Sequence, residues 1–372
     1  MVRFIKNETV LFISMILTIV SMFIIKPDKL YSDYIDLKTI FTLFSLMTVM
    51  EGFKKTGVFS KISRALINKA KNMTSIMLIL VYLCFFFSMF ITNDVALITF
   101  VPLSITILNM TDKSIKNKLL VSMVTIQTIS ANLGSMLLPT GNPQNLYLYG
   151  ISGMKLNDFI LLLLPFSLIA FVIITIWSIL KCRKISLSSD IYIPENKEKL
   201  DIKSVLMYFI LFLICILSVS GISNYIIVTA IVLVVILIFD RKILKTVDYS
   251  LLLTFVCFFI FIGNMGRIDT INNLLRSVTD GNEFITSIIA SQAVSNVPCA
   301  ILLSGFTDNY KDLIIGTDIG GLGTLIASMA SLISFKYICK ESPELKKRYF
   351  IYFTISNFIL LGFYIVMYFV VN

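Results

Sequence analysis

Apolar runs long enough to span a bilayer follow one another along nearly the whole chain, and two apolar stretches carry an asparagine at their centre. A helix needs about 20 mostly apolar residues to cross the hydrocarbon core. Segments near 9–25, 37–53, 118–149, 157–180, 204–220, 224–239, 249–264, 313–338 and 350–370 read as such crossings. Hydrophobic residues make up 57% of the 372, with mean hydropathy +0.90; soluble domains run nearer about 45–50% apolar. Spanning strands are shorter and alternate in polarity, and these runs do not alternate. The expected fold class is an all-α polytopic membrane protein, one transmembrane domain over 1–372, with the lipid bilayer as its first partner.

The two asparagines are Asn93, in FFFSMFITNDVALITFVP, and Asn296, in ITSIIASQAVSNVPCAILL. Each has a proline downstream, Pro102 and Pro298. Each segment is followed by a second interrupted apolar run, NLGSMLLPTGNPQNLYLYG in one case and TDIGGLGTLIASMASL in the other. Broken segments at corresponding places in two halves mark a transporter with its site at the breaks. We therefore expect 74–110 and 283–306 to be re-entrant hairpins, and 118–149 and 313–338 to be broken crossings. The halves, 37–180 and 249–370, read as inverted-topology repeats. They are joined by a polar cytoplasmic linker, 181–203. Helices 9–25, 204–220 and 224–239 are additions to the repeat.

Charge fixes the expected orientation. The net charge is +10, from 32 Lys and Arg against 22 Asp and Glu. Most of the basic residues fall in the N-terminus and in 54–71, 111–118, 181–203, 240–248 and 336–348. Few fall in 26–38, 150–157, 264–283 and 306–312. By the positive-inside rule the N-terminus is cytoplasmic and the C-terminus outside, in a plasma or inner membrane. The excess is topological and implies no nucleic-acid partner. The N-terminal apolar run has no small-residue cleavage site after it, only Lys26-Pro27-Asp28-Lys29, so it reads as a retained helix. The stretch GVFSKISRALINKAKN reads as an amphipathic helix in the inner interface. Six scattered cysteines show neither metal-ligand nor disulfide spacing. The chain has no histidine, which removes histidine catalysis and relays.

An interrupted helix in lipid leaves amide and carbonyl groups unpaired, each costing several kcal/mol unless something satisfies it. Half-helix N-termini offer donors to anions, and carbonyl ends suit Na⁺. The first tip is Thr92-Asn93-Asp94 and the second Ser295-Asn296-Val297. Asn93, Asp94 and Asn296 are candidate ligands for Na⁺. Asp94 is a coupling group or an N-cap of the returning half-helix. Pro298 suits a first helical turn, so Asn296 or Val297 should begin the second returning half. The first break holds Gly141, Asn142, Pro143 and Asn145, the second Asp318, Gly320, Gly321, Gly323 and Thr324. Aligning Asn132-Leu133-Gly134-Ser135 with Asp318-Ile319-Gly320-Gly321 sets Asn142 against Ser328. Asp318 is a second acidic candidate, or a cap at the outer mouth. Glu51 reads as an ion pair with Lys54 or Lys55, and Asp269, Asp280 and Glu283 as interface residues.

With these residues the chain resembles the ion transporter superfamily: divalent-anion:sodium symporters, citrate transporters, arsenite permeases and some sodium/proton antiporters. In the symporters a Ser-Asn-Thr tip on each hairpin holds a substrate carboxylate, with sodium beside it. The break Gly141-Asn142-Pro143-Gln144-Asn145 is similar to the symporters' Gly-Thr-Pro-Pro-Asn. The chain departs at Val297, which lacks the hydroxyl, and at Asp94, which adds a charge. The Asn-Asp pair looks more like the arsenite-permease branch. The resemblance also implies a homodimer.

The expected function is a secondary active transporter for a small anion, such as a di- or tricarboxylate or an oxyanion, working by alternating access. No G-x-x-x-x-G-K-[ST] loop occurs, so an ion gradient must supply the energy. No cofactor is expected, and Na⁺ or H⁺ is the coupling ion. The alternatives are a Na⁺/H⁺ exchanger using Asp94 and Asp318, an arsenite efflux permease, a passive channel and an intramembrane aspartyl protease. The chain is not expected to be an enzyme.

Overall fold

A computed structural model describes residues 8–183, 185 and 200–371. Residues 1–7 and most of the expected linker 181–203 lie outside the described residues. Everything regular among the described residues is helical.

The helices are α1 (Thr9–Ile24), α2 (Tyr31–Tyr34), α3 (Leu37–Thr56), α4 (Val58–Ile67), α5 (Met73–Ile91), α6 (Asn93–Asn109), α7 (Lys113–Ser135), α8 (Pro143–Ser152) and α9 (Leu156–Cys182). They continue with α10 (Ile202–Val219), α11 (Tyr225–Phe239), α12 (Tyr249–Gly266), α13 (Asp269–Thr279), α14 (Glu283–Val294), α15 (Asn296–Ser304), α16 (Tyr310–Ile319), α17 (Met329–Glu341) and α18 (Lys346–Val371).

Their ends follow local chemistry. Asp36, Asn72, Asn142, Asp248 and Asn309 each precede a helix and accept a backbone N–H from its first turn. Such caps satisfy donors that the helix itself cannot. Gly57 closes α3 in the left-handed region at φ 70, where a side chain would be strained.

Five helical stretches are long and apolar enough to cross a membrane: Met73–Ile91, Leu156–Cys182, Ile202–Val219, Tyr249–Gly266 and Pro343–Val371. Large apolar side chains on their outer faces and on α1 and α11 are bare, for example Phe23, Leu180, Ile238 and Val370. That belt suits lipid, and would aggregate in water. The chain is an integral membrane protein. The length of α5 qualifies one expectation: it could cross unaided, so length alone does not make 74–110 a hairpin that stays on one side.

The helices sort into two packed groups. In one, α1 lies along α12 and α3 packs on α10 and α11. In the other, α7 is surrounded by α5, α6, α9, α17 and α18, while α14, α15 and α16 pack together beside α8. The groups touch where α3 meets α8 and α6 and where α12 meets α15. The amphipathic α4 and α13 connect them in sequence. α4 buries Phe59, Ser63 and Ile67 and exposes Lys61, as its spacing foretells. Glu51 pairs with Lys54 at 2.9 Å. Lys55 instead reaches Asp240, which also accepts from Tyr208. Glu283, expected at the interface, is buried and accepts from Thr307 Oγ1 at 2.8 Å. The neighbouring turn brings that hydroxyl to it, so the carboxylate is satisfied inside the protein.

Candidate functional site

Two backbone positions single out the site. Thr92 has φ 69 and ψ 150, and Ser295 has φ 75 and ψ 153. They are the only non-glycine residues with positive φ among the described residues. That region is nearly exclusive to glycine and costs on the order of 1–3 kcal/mol for a side chain. Each strained residue ends one helix, and the next residue, Asn93 or Asn296, begins another. Of the two expected starts, Asn296 and Val297, it is Asn296 that begins the second helix of its pair. Asp94 is not the N-cap: Thr92 occupies that place with no side-chain cap bond, and Asp94 sits inside the first turn of α6.

The broken helices meet these tips. Asn93 Nδ2 donates to Asn132 Oδ1 at 3.1 Å, and Asn93 Oδ1 accepts the Asp94 N–H at 2.9 Å. Asn296 N–H donates to the Ala327 carbonyl at 3.0 Å, and a Cβ on Gly321 would stand 3.0 Å from Asn296 Nδ2. In the first break α7 ends at Ser135, a tight turn covers Pro139–Gly141, and α8 starts with Pro143 behind its cap Asn142. Gly141 is there because a Cβ would lie 2.0 Å from the Ser135 carbonyl oxygen. In the second, α16 runs to Ile319 and the chain is unwound to Ser328. Asp318 is therefore helical, near the end of α16, and not a cap at an outer mouth. Gly323 has φ 105 and lies against the Gln292 amide, as no other residue could.

Asp318 is buried and both its oxygens are held. Asn142 Nδ2 donates to Oδ1 at 3.1 Å and Asn145 Nδ2 to Oδ2 at 2.9 Å. Ser328 Oγ donates to Asn132 Oδ1 at 3.1 Å. Asn142 and Ser328, and Asn132 and Asp318, are the pairs that the sequence alignment set opposite one another, and their bonds cross between the halves. Two further matches stand beside them. A Cβ on Gly134 would lie 2.8 Å from Ser88 Oγ, and one on Gly320 2.8 Å from Ser291 Oγ; each serine is four residues before its strained tip. Thr140 Oγ1 donates to the Met89 carbonyl at 3.0 Å, and Thr324 Oγ1 to that of Gln292 at 3.3 Å; each carbonyl is three residues before the tip.

Val297 is buried and apolar where the first half has Asp94. Several polar atoms around the breaks have no partner: Asp94 Oδ1, Asn132 Nδ2, Gln144 Oε1 and Asn145 Oδ1.

Within this frame of apolar helices and paired breaks, the citrate transporter family model matches residues 3–310. The chain belongs to the citrate transporter family. It is a membrane transporter of that family, and its apolar helices are long enough to lie in a membrane. It is 34% identical over 328 residues to an uncharacterized transporter of Methanocaldococcus jannaschii, covering 88% of each chain. It is 29% identical to the inner membrane protein YbiR of Escherichia coli, over 85% of this chain and 84% of that one. A shorter stretch of 161 residues is 28% identical to a putative transporter arsB of Dictyostelium discoideum, 43% of this chain and 28% of the relative.

Sequence reasoning missed Gln292. Its Nε2 donates to the Gly320 and Leu322 carbonyls, both at 3.0 Å, and its Oε1 accepts the Thr324 N–H at 2.9 Å. A glutamine in the apolar run IIASQAV was the available signal.

Proposed function

We propose that the chain is a secondary active transporter that moves a small anion, a di- or tricarboxylate or an oxyanion, in company with Na⁺ or H⁺. One observation carries the reading: two strained tips, each followed by a buried asparagine, close on two broken helices whose hydrogen bonds cross between the halves. In this reading 37–180 and 249–370 are inverted repeats, α5–α6 and α14–α15 are re-entrant hairpins, and the breaks lie at mid-bilayer. The N-termini of α6, α8 and α15 supply donors and partial positive charge to the anion. Neither tip and neither break contains Lys or Arg, so amides, hydroxyls and dipoles carry that task. A cation or proton offsets Asp94. The free oxygens Asp94 Oδ1, Gln144 Oε1 and Asn145 Oδ1 are hard donors of the kind Na⁺ takes.

Alternating access would follow from relative movement of the two helix groups, which share a limited contact at α3/α8, α3/α6 and α12/α15. The basic loops support an N-terminus on the cytoplasmic side. The test is uptake of labelled citrate, succinate and arsenite by proteoliposomes under an inward Na⁺ or H⁺ gradient. Accumulation of an anion that collapses with an ionophore supports the reading; equilibration without accumulation overturns it.

Cation exchange is a second reading, favoured by two carboxylates, the buried Asp318 and the half-buried Asp94, with no basic residue in either tip or break. Sodium-driven proton movement with no anion present would select it. The Asn93-Asp94 tip, by its resemblance to the arsenite-permease branch, favours arsenite among the oxyanions.

A further inference from the structure

A polar seam leaves the candidate site between α7 and α17 and ends under the first turn of α18. It starts where Ser328 Oγ donates to Asn132 Oδ1. On α7 the same face carries Asn132, Thr128 and Thr125, spaced by four and three residues. On α17 it carries Ser331 and Ser334, with Ser328 one turn before. Thr128 Oγ1 donates to the Val124 carbonyl at 2.7 Å and accepts from Ser334 Oγ at 2.7 Å. The Tyr349 hydroxyl, from α18, faces Thr128, Ser334 and Thr125. Thr125, Thr128, Ser331, Ser334 and Tyr349 are all 0% exposed. Tyr349 nevertheless follows directly on Lys346, Lys347 and Arg348, which are exposed. Seven residues of helix, from Asn132 to Thr125, make the seam roughly 10 Å long.

Hydroxyls between membrane helices ordinarily serve as glue, and most satisfy themselves on the preceding turn. Ser45, Thr48, Ser130, Thr175 and Ser178 all donate to the carbonyl four residues back. Thr128 keeps that habit, donating to the Val124 carbonyl, but its neighbours in the seam do not. Asn132 Nδ2, Ser331 Oγ, Thr125 Oγ1 and the Tyr349 hydroxyl have no hydrogen-bond partner. Tyr349 faces three hydroxyls without forming a bond of good geometry to any. An unpaired polar group in a dry interior costs free energy. A buried water typically makes about three hydrogen bonds to such groups.

We infer that this seam holds a short file of water molecules, which links the candidate site to the basic end of α18 and carries protons between them. Water and the unpaired hydroxyls of Thr125, Ser331 and Tyr349 can each donate and accept, so a proton passes along by hops and every side chain stays neutral. The water file stands on the geometry alone; its use for protons rests on the transport reading above.

The test is radiolytic hydroxyl-radical labelling of the full-length protein in lipid, read by mass spectrometry. Radicals made from bound water label side chains that bulk solvent cannot reach. Tyr349 should be labelled several-fold faster than Tyr364, which is equally buried but donates to the Phe166 carbonyl. The double variant Thr125→Val, Ser331→Ala should bring Tyr349 down to the rate of Tyr364. Equal labelling of the two tyrosines in the unaltered protein overturns the water file, whatever the protein transports. In proteoliposomes, proton flux should fall several-fold in Ser331→Ala. Unchanged flux, or no flux in the unaltered protein, overturns the proton role.

Discussion

Thr92 and Ser295 hold backbone angles that suit glycine, and neither is glycine. Strain of this kind persists where the surroundings over-determine it, and it clusters at functional sites. Thr92→Gly should relieve it, raising stability by up to about 1–3 kcal/mol while loosening the tip. Thermal unfolding and uptake measured together check this: melting temperature rises and uptake falls. A lower melting temperature would mean that the Thr92 side chain contributes more by packing than its backbone costs. Asn93→Ala and Asn296→Ala should each abolish transport and leave folded protein in the membrane. Wild-type uptake by either variant removes the tips from the site. The two acids differ in kind. Asp318 has both oxygens bonded to amides of the first break, whereas Asp94 keeps Oδ1 free. Asp318→Asn turns an amide group toward another amide donor, which should cost about 1–3 kcal/mol. Asp94→Asn should spare stability and alter the ion dependence of transport.

At the scale of elements, the breaks are held by close approach and by borrowed hydrogen bonds. α7 crosses α5 where Gly134 leaves no room: a Cβ would stand 2.2 Å from the Phe85 carbonyl oxygen. Gly134→Ala should cost about 1–3 kcal/mol through forced separation of the helices. Gly266→Ala, with nothing within 4 Å, is the matched control and should fall within experimental error of the unaltered protein. The second break depends on Gln292, which serves Gly320, Leu322 and Thr324 at once. The first half has Met89 in the corresponding place, and no amide. Gln292→Met should therefore loosen the second break, with faster amide exchange at 320–328 than in the unaltered protein.

At the scale of the molecule, two groups of helices touch over a narrow, largely apolar contact. Tyr147 of α8 packs on Phe255 and Phe259 of α12, the latter at 5.4 Å between ring centroids. If transport requires the groups to move, tying them there should stop it. A short bifunctional thiol linker between Tyr147→Cys and Phe259→Cys, in a protein freed of its six native cysteines, should block uptake until reduced. Full uptake with the linker in place would show that the groups stay fixed to each other.

The sequence by itself determined the class, the rough bounds of the apolar helices, and the two asparagine tips. Those depend on length, composition and local breakers, which act over a few residues and can be read in order. It also set Asn132 against Asp318 and Asn142 against Ser328, from the matching spacing of polar residues around the two breaks. What Asp318 does was open until folding brought it to Asn142 and Asn145, more than 170 positions away in sequence. The same holds for Gln292 and for the seam at Tyr349. A side chain's partners in the interior are set by which helices cross and at what register, and no local pattern encodes that; only the tertiary structure decides it.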